Sequence, residues 1–221
     1  MVTLQQLRKG KWGLYAIALL VTGAGLTACK ENAVNDLSPA DAPVYITNYD
    51  RSVNFSQYKT FSLPDSVVIE SNTGYQPSLG PLEGRFVSNV ANTLTSRGFK
   101  RVNRGESADL GVAIIRVNNL YTGVGVDPYG YYGGYWGGGY GGLGGYYPYY
   151  PSYYTYQVAD QYWEIQIVDL KNRPTTGTGT QPQLNVIYDA TVRGTDIPDQ
   201  QAVDVATTTI FNQSAYLKAT E

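Results

Sequence analysis

Glu164 and Asp189 are the two residues whose types and spacing come nearest to a catalytic pair, one acid on each of two neighbouring strand patterns. Two carboxyl groups about 5 Å or more apart are what glycoside hydrolysis requires, one as proton donor and one as nucleophile or base. Two charges on an exposed sheet face are far commoner than a glycosidase, so the pair by itself defines no enzyme. Other routes to catalysis are narrow. The chain has no His and one Cys, at position 29, which excludes disulfides within the chain and zinc sites built on His or Cys. A Ser or Thr nucleophile would need an activating Lys. Beyond Cys29 the lysines are Lys30, Lys59, Lys100, Lys171 and Lys218, and none stands in a recognisable pairing. Gly123-Val124-Gly125 follows a strand pattern as a phosphate loop would. Pro128 and a Tyr/Gly run follow it in place of a helix, however, and no Lys lies between Arg116 and Lys171. No cofactor is expected.

Recognition has more to work with. Tyr129 to Tyr154 is a 26-residue stretch with 11 Tyr, 10 Gly, Trp136 and no charge. Tyrosine presents a wide stacking area with a hydrogen-bonding tip, and adjacent glycines let the rings adapt to a partner. Tyr131, Tyr132, Tyr135, Trp136, Tyr140, Tyr146 and Tyr147 are the candidate partner-binding residues. Two other readings compete: a passive insert, since Gly-rich loops lengthen at small entropic cost, and an assembly segment, against which frequent Gly argues. With Leu143 as its one aliphatic residue the stretch cannot build a core. It is expected to be a mobile loop whose deletion leaves the rest folded. Nucleic acid is a poor partner because the cationic groove that must accompany stacking aromatics is missing.

The N-terminus supplies an address. Met1 to Lys11 is basic, Trp12 to Gly25 is apolar, and Leu26-Thr27-Ala28 is a small-residue processing site, the anatomy of a bacterial export signal over 1–28. A membrane span needs about 20 apolar residues, and the polar Lys30-Glu31-Asn32 closes this run early. Leu26-Thr27-Ala28-Cys29 resembles the lipobox of bacterial lipoproteins, which implies a lipid-modified Cys29 and a membrane anchor. Lys30, where retention signals place Asp, implies the outer membrane. Formal charge is −2, and removal of Arg8, Lys9 and Lys11 with the signal takes it to −5. Residues 29–43 read as a polar tether with Pro39 and Pro43.

The elements that must position these residues lie in 44–221. Val44 to Tyr49 and Tyr58 to Leu63 read as strands, and Ser66 to Gly80 as a loop with turn chemistry at Ser71-Asn72-Thr73-Gly74. Pro81 opens a helix on the spacing Leu82, Phe86, Val90, Leu94, stopped by Gly98. Phe99 to Val102 begins a strand. Ala108 to Val117 is apolar on both alternating faces and therefore belongs in mid-sheet. Thr155 to Leu170 puts Trp163, Ile165 and Ile167 on a buried face and Tyr162, Glu164 and Gln166 on a wet one. Lys171 to Gln183 reads as an exposed loop. Leu184 to Val192 aligns Leu184, Val186, Tyr188, Ala190 and Val192 on one face, and Pro198 opens a last helix through Ala202, Val205, Ala206 and Ile210. The order implies an α+β domain: a single antiparallel sheet, two helices packed on one face, and the Gly/Tyr stretch as a long hairpin loop. Trp163 and Tyr188 are read as packing rather than as a sugar platform.

Tyr49-Asp50, then Asn54-Phe55-Ser56-Gln57-Tyr58-Lys59-Thr60-Phe61, then Arg97-Gly98-Phe99 and Ser107-Ala108-Asp109-Leu110 together resemble domain of unknown function 4136, a family of uncharacterised bacterial envelope lipoproteins. The resemblance runs from Val44 to Phe211 and is most specific from Asn54 to Phe61. Tyr188 stands where the family commonly has Trp, and the loop from Arg173 to Gln183 is longer than usual. The resemblance implies no functional residues. Two functions stay open: a non-enzymatic, membrane-anchored envelope lipoprotein binding a protein or glycan through its aromatic loop, or a hydrolase acting on an envelope polymer. The hydrolase requires a deep pocket with converging ionisable groups, the binding module a shallow aromatic surface.

Overall fold

The structure, a computed structural model, describes residues 43–71, 74–118, 129–136, 147–149, 161–173, 183–193 and 197–219. The export signal, Cys29 and all of the tether except Pro43 lie outside the described residues. The elements in chain order are β1 (Val44–Tyr49), a 3-10 turn at Phe55–Gln57, β2 (Thr60–Ser62), β3 (Val67–Ser71), β4 (Gly74–Ser78), α1 (Pro81–Ser96), β5 (Lys100–Arg101), β6 (Leu110–Asn118), α2 (Tyr129–Trp136), β7 (Tyr147–Tyr149), β8 (Gln161–Asp169), β9 (Gln183–Arg193) and α3 (Gln200–Gln213). Among the described residues no helix is long and apolar enough to cross a membrane.

The sheet runs β1-β9-β8-β6-β2-β5, with β3 also on β6 and β4 outside β3. It is mixed rather than antiparallel. β1, β9, β8 and β6 pair antiparallel, whereas β2 and β3 lie parallel to β6. The cause is α1, which carries the chain from the β3–β4 hairpin back to β6. A crossover through a helix brings the next strand in parallel. The hairpin itself occupies the stretch read as a loop. Val67, Val68 and Ile69 are β-branched and form β3, and the turn signal beyond them joins two strands.

β6 sits in mid-sheet as its two apolar faces demand. Leu110, Val112 and Ile114 join Trp163, Ile165 and Ile167 under the two long helices, with Phe86, Val90 and Leu94 from α1 and Val203, Ile210 and Phe211 from α3. Ala113, Ile115 and Val117 face the other way into a second core with Val68, Val168, Leu184, Val186, Tyr132 and Trp136. The face of β8 read as wet is therefore buried too. In β9 the register shifts opposite Ile167 and Val168, because Ile187 is an extra residue. A bulge turns the strand over, so Leu184 and Val186 point to the second core while Tyr188, Ala190 and Val192 point to the first. These five residues do not share one face.

The helix ends follow their sequence signals. α1 has Pro81 at its first turn and stops where Gly98 adopts φ +91°. Asp199 caps α3 by accepting a hydrogen bond from Ala202 N at 2.8 Å.

Candidate functional site

Part of the Gly/Tyr stretch belongs to the fold. Tyr129 to Trp136 forms α2, and the spacing of Tyr132 and Trp136, four residues apart, puts both rings on one face of it. They stack with centroids 5.3 Å apart and are fully buried against the second face of the sheet. The Tyr132 hydroxyl donates to Ile114 O at 2.5 Å and accepts from Ile114 N at 3.2 Å, and burial pushes its pKa up. Trp136 needs room in the sheet, and Gly111 supplies it. A Cβ at position 111 would stand 2.7 Å from Cδ2 and Cε2 of Trp136 and 2.8 Å from Cγ2 of Val168. A lone Gly inside a strand of large residues is the signal for such a close approach.

With Tyr132 and Trp136 in the core, Tyr131 and Tyr135 lie half-buried on the flank of the helix, partly packed against the same core. Their rings lie 5.5 Å apart at 45°. The Tyr131 hydroxyl pairs with Ser66 Oγ through a short hydrogen bond. The Arg104 guanidinium lies 4.6 Å from the centroid of Tyr135. The charges around Arg104 are engaged elsewhere: Asp65 with Arg101 at 2.8 Å, and Glu106 with Asn103 N at 2.8 Å and Nδ2 at 3.1 Å. Arg104 therefore presents a cation held by an aromatic face. Neither Arg104 nor Ser66 carries a local sequence signal; the fold brings both to α2. Of the other candidate residues, Tyr147 lies in β7 opposite Gln183, and Tyr140 and Tyr146 lie outside the described residues.

The two acids do come together. Gln166 stands opposite Asp189 and Glu164 opposite Thr191 across β8 and β9, while Asn48 of β1 stands opposite Asp189 from the other side. Alternation puts all five on the second face. Glu164 is 4% exposed, Gln166 1% and Asp189 2%. Gln166 Nε2 donates to Glu164 Oε1 at 2.7 Å. Burial first, then the neighbouring Glu164 charge, push the Asp189 carboxyl up to about 7, with a hydrogen bond from Asn48 acting in the opposite direction. Asp189 Oδ1 has no hydrogen-bond partner. The pair lies in the interior and is not a pair of surface charges.

The motif residues from Asn54 to Asp109 serve the fold. Asn54 Oδ1 accepts from Ser56 N at 3.0 Å and caps the 3-10 turn, and Phe55, Tyr58 and Phe61 are buried. The Tyr58 hydroxyl donates to Asp169 Oδ2 at 2.8 Å, and Lys59 Nζ donates to Ala219 O at 2.8 Å. Asp109 Oδ2 accepts from Lys59 N at 2.7 Å and Thr60 N at 3.2 Å, fastening β2 to β6. Arg97 lies under the end of α3, donating to Phe211 O at 2.5 Å, to Leu217 O at 3.0 Å and to Ser214 O. A cation there meets the carbonyls that a helix C-terminus leaves unsatisfied. Tyr188 is packing as read, buried with its hydroxyl 3.0 Å from Ser214 Oγ. Trp163 likewise stacks on Phe86 at 5.0 Å and 7°.

Motif and fold agree with the relationships of the chain. The model of the domain of unknown function DUF4136 matches residues 46–214, and the chain belongs to that family. A DUF4136 family protein from Bacteroides thetaiotaomicron is similar in structure, with a TM-score of 0.60 and 26% identity, over 81% of this chain and 99% of that one. The PelC dodecamer from Paraburkholderia phytofirmans is similar at a TM-score of 0.38 and 15% identity, over 81% of this chain and 100% of that one. No curated protein matches.

Proposed function

We propose that the protein is a membrane-anchored bacterial envelope lipoprotein, held in the outer membrane by lipid on Cys29, and that it binds an envelope protein or glycan without catalysis. The observation that carries the recognition half is the face of α2 formed by Tyr131 and Tyr135, with Arg104 stacked on it. Rings seated on a helix that is itself anchored lose little freedom on binding, and aromatic and Arg side chains are the residues that dominate interfaces. The anchoring half is supported by the lipobox-like Leu26-Thr27-Ala28-Cys29 and the polar tether behind it. A hydrolase reading would have to use Glu164 and Asp189, and their burial keeps a polymer from both carboxyls.

The test is binding of the full chain to isolated envelope polymers and to envelope protein extract. Tyr131→Ala combined with Tyr135→Ala is expected to weaken binding about tenfold or more, the size of a lost interface anchor. Tyr75→Ala, an exposed ring on β4, is the control. Equal binding by the double variant would remove α2 from the interface. Cys29→Ser is expected to move the protein out of the membrane fraction, and unchanged detergent partitioning of that variant would remove the anchor.

A further inference from the structure

Arg104 is set out on a turn built to hold it. Glu106 N donates to Asn103 O at 3.1 Å and Gly105 adopts φ +85°, so Asn103 to Glu106 form a β-turn with Arg104 exposed at its tip. The Glu106 carboxylate closes the turn from the side, accepting from Asn103 N at 2.8 Å and from Asn103 Nδ2 at 3.1 Å. Gly105 N donates to Tyr135 O at 3.4 Å and fastens the turn to the end of α2. The Arg104 guanidinium, 4.6 Å from the Tyr135 centroid, is thus fixed through its backbone and through its ring contact. Packing on an aromatic face uses the flat side of a guanidinium and keeps its N–H edge for a planar anion. The acids at this corner have other partners, Glu106 in Asn103 and Asp65 in Arg101. Lys100 also acts on Glu106, so Lys100, Arg101 and Arg104 outnumber Asp65 and Glu106 among the charges these contacts join, in a chain whose formal charge is −2. Among the described residues Arg104 has no carboxylate partner of its own.

We infer that this corner, Arg104 with the Tyr131 and Tyr135 flank of α2, takes an acidic polysaccharide, a polymer of uronic acid whose carboxylate pairs with the Arg104 guanidinium. The inference rests on the recognition reading above and specifies its ligand. A carboxylate accepts two parallel N–H bonds from a guanidinium, which gives direction as well as attraction. Beside the cation stands a row of hydroxyls: Tyr135 is hydrogen-bonded to Tyr131, and Tyr131 to Ser66. A hydroxyl offers one donor and two acceptor sites, so each member of the row keeps capacity for a further bond. Sugar hydroxyls donate and accept alike and match such a row. The two rings, 5.5 Å apart, add apolar surface for the C–H face of a sugar. An acidic peptide would meet Arg104 equally well, but its carboxylate side chains have no hydroxyls to set against the row. Nucleic acid would need a cationic groove that follows its backbone, and one arginine at a turn is not a groove.

The experiment is calorimetric titration of the full chain with polygalacturonate and with alginate, at low and high salt. Methyl-esterified polygalacturonate is the uncharged counterpart and polyglutamate the peptide counterpart. Polyuronate is expected to bind about tenfold or more tighter than the ester, the size of a lost charge-assisted hydrogen bond, and to weaken with salt. Arg104→Gln should remove that preference. Arg104→Lys, which keeps the charge without the fork, should restore only part of it. Arg51→Gln removes the same charge from another exposed position and should leave the preference intact, with melting temperatures checking that each variant folds. Absence of binding to both polyuronates, equal binding of polygalacturonate and its ester, tighter binding of polyglutamate, or equal losses in Arg104→Gln and Arg51→Gln overturns the assignment. Binding of envelope extract that depends on Tyr131 and Tyr135 but not on Arg104 would remove the polyuronate alone and leave the recognition surface standing.

Discussion

The two faces of the sheet are covered by different means. On one, α1 and α3 lay down 16 and 14 residues of amphipathic helix. Arg85 ties them together through a two-pronged contact with Asp204, 2.8 Å on each prong, and Arg97 closes the end of α3. On the other, α2 is an eight-residue helix with three glycines, and it holds on through Tyr132 and Trp136. An isolated helix of that length is unstable in water, and Gly lowers its stability further. Its conformation thus depends on two rings finding the sheet. The same second face carries the buried acids, which cost stability where they stand. The first face secures the fold, and the second carries the features that a function would use.

A matched pair of truncations tests that contrast most strongly. Phe86→Ala, on the α1 side, is expected to cost about 3 to 5 kcal/mol of unfolding free energy in denaturant titrations. Trp136→Ala should approach about 3 kcal/mol if α2 is integral to the domain. A variant as stable as wild type would return the whole Gly/Tyr stretch to the status of a loop.

Gly111→Ala sharpens the point without touching α2. The new methyl has no room beside Trp136, and overpacking of this kind costs about 1 to 3 kcal/mol. Tryptophan fluorescence should report a displaced Trp136, and the same substitution in Trp136→Ala should cost less, with the contact to Val168 remaining.

Asp189→Asn asks whether the second face carries an electrostatic penalty. Burial and the Glu164 charge raise the folded carboxyl to about 7, from an ordinary value of 3.8. Between those values the folded state holds a proton that the unfolded state has released, so this group's contribution falls as pH rises through the window and stays low above it. The Asn variant is expected to gain more in melting temperature at pH 8 than at pH 4. An equal change at both would show that the acid is not buried in the working protein.

The smallest effect belongs to the first face. Arg85 and Asn89 hold the Asp204 carboxyl down at about 2. That contribution is present above the unfolded value of 3.8 and lost as pH falls through about 2. Arg85→Ala should therefore lower the melting temperature slightly at neutral pH, by little because the pair is exposed to solvent, and the difference from wild type should vanish as pH falls through about 2. A larger neutral loss would make the strap between α1 and α3 a structural element in its own right.

Periodicity and end signals alone determined α1, α3 and the central place of β6, because local spacing of apolar residues dictates which side of an element must be covered. The family was legible in Asn54 to Phe61 and Arg97 to Phe99, residues whose roles prove to be capping and fastening. Tertiary structure decided the rest. The crossover through α1 made the sheet mixed, and one extra residue, Ile187, divided β9 between two cores. Tyr132 and Trp136 looked like the other aromatic residues of their stretch until the sheet received them, with Gly111, 25 positions before Trp136, leaving room for its ring. The face of β8 that alternation marks as polar became interior because it is covered from above, and coverage is a property of distant chain segments that no local pattern records. For the same reason Arg104 and Asn48 drew no notice in the sequence: each is an ordinary residue made significant by what the fold sets beside it.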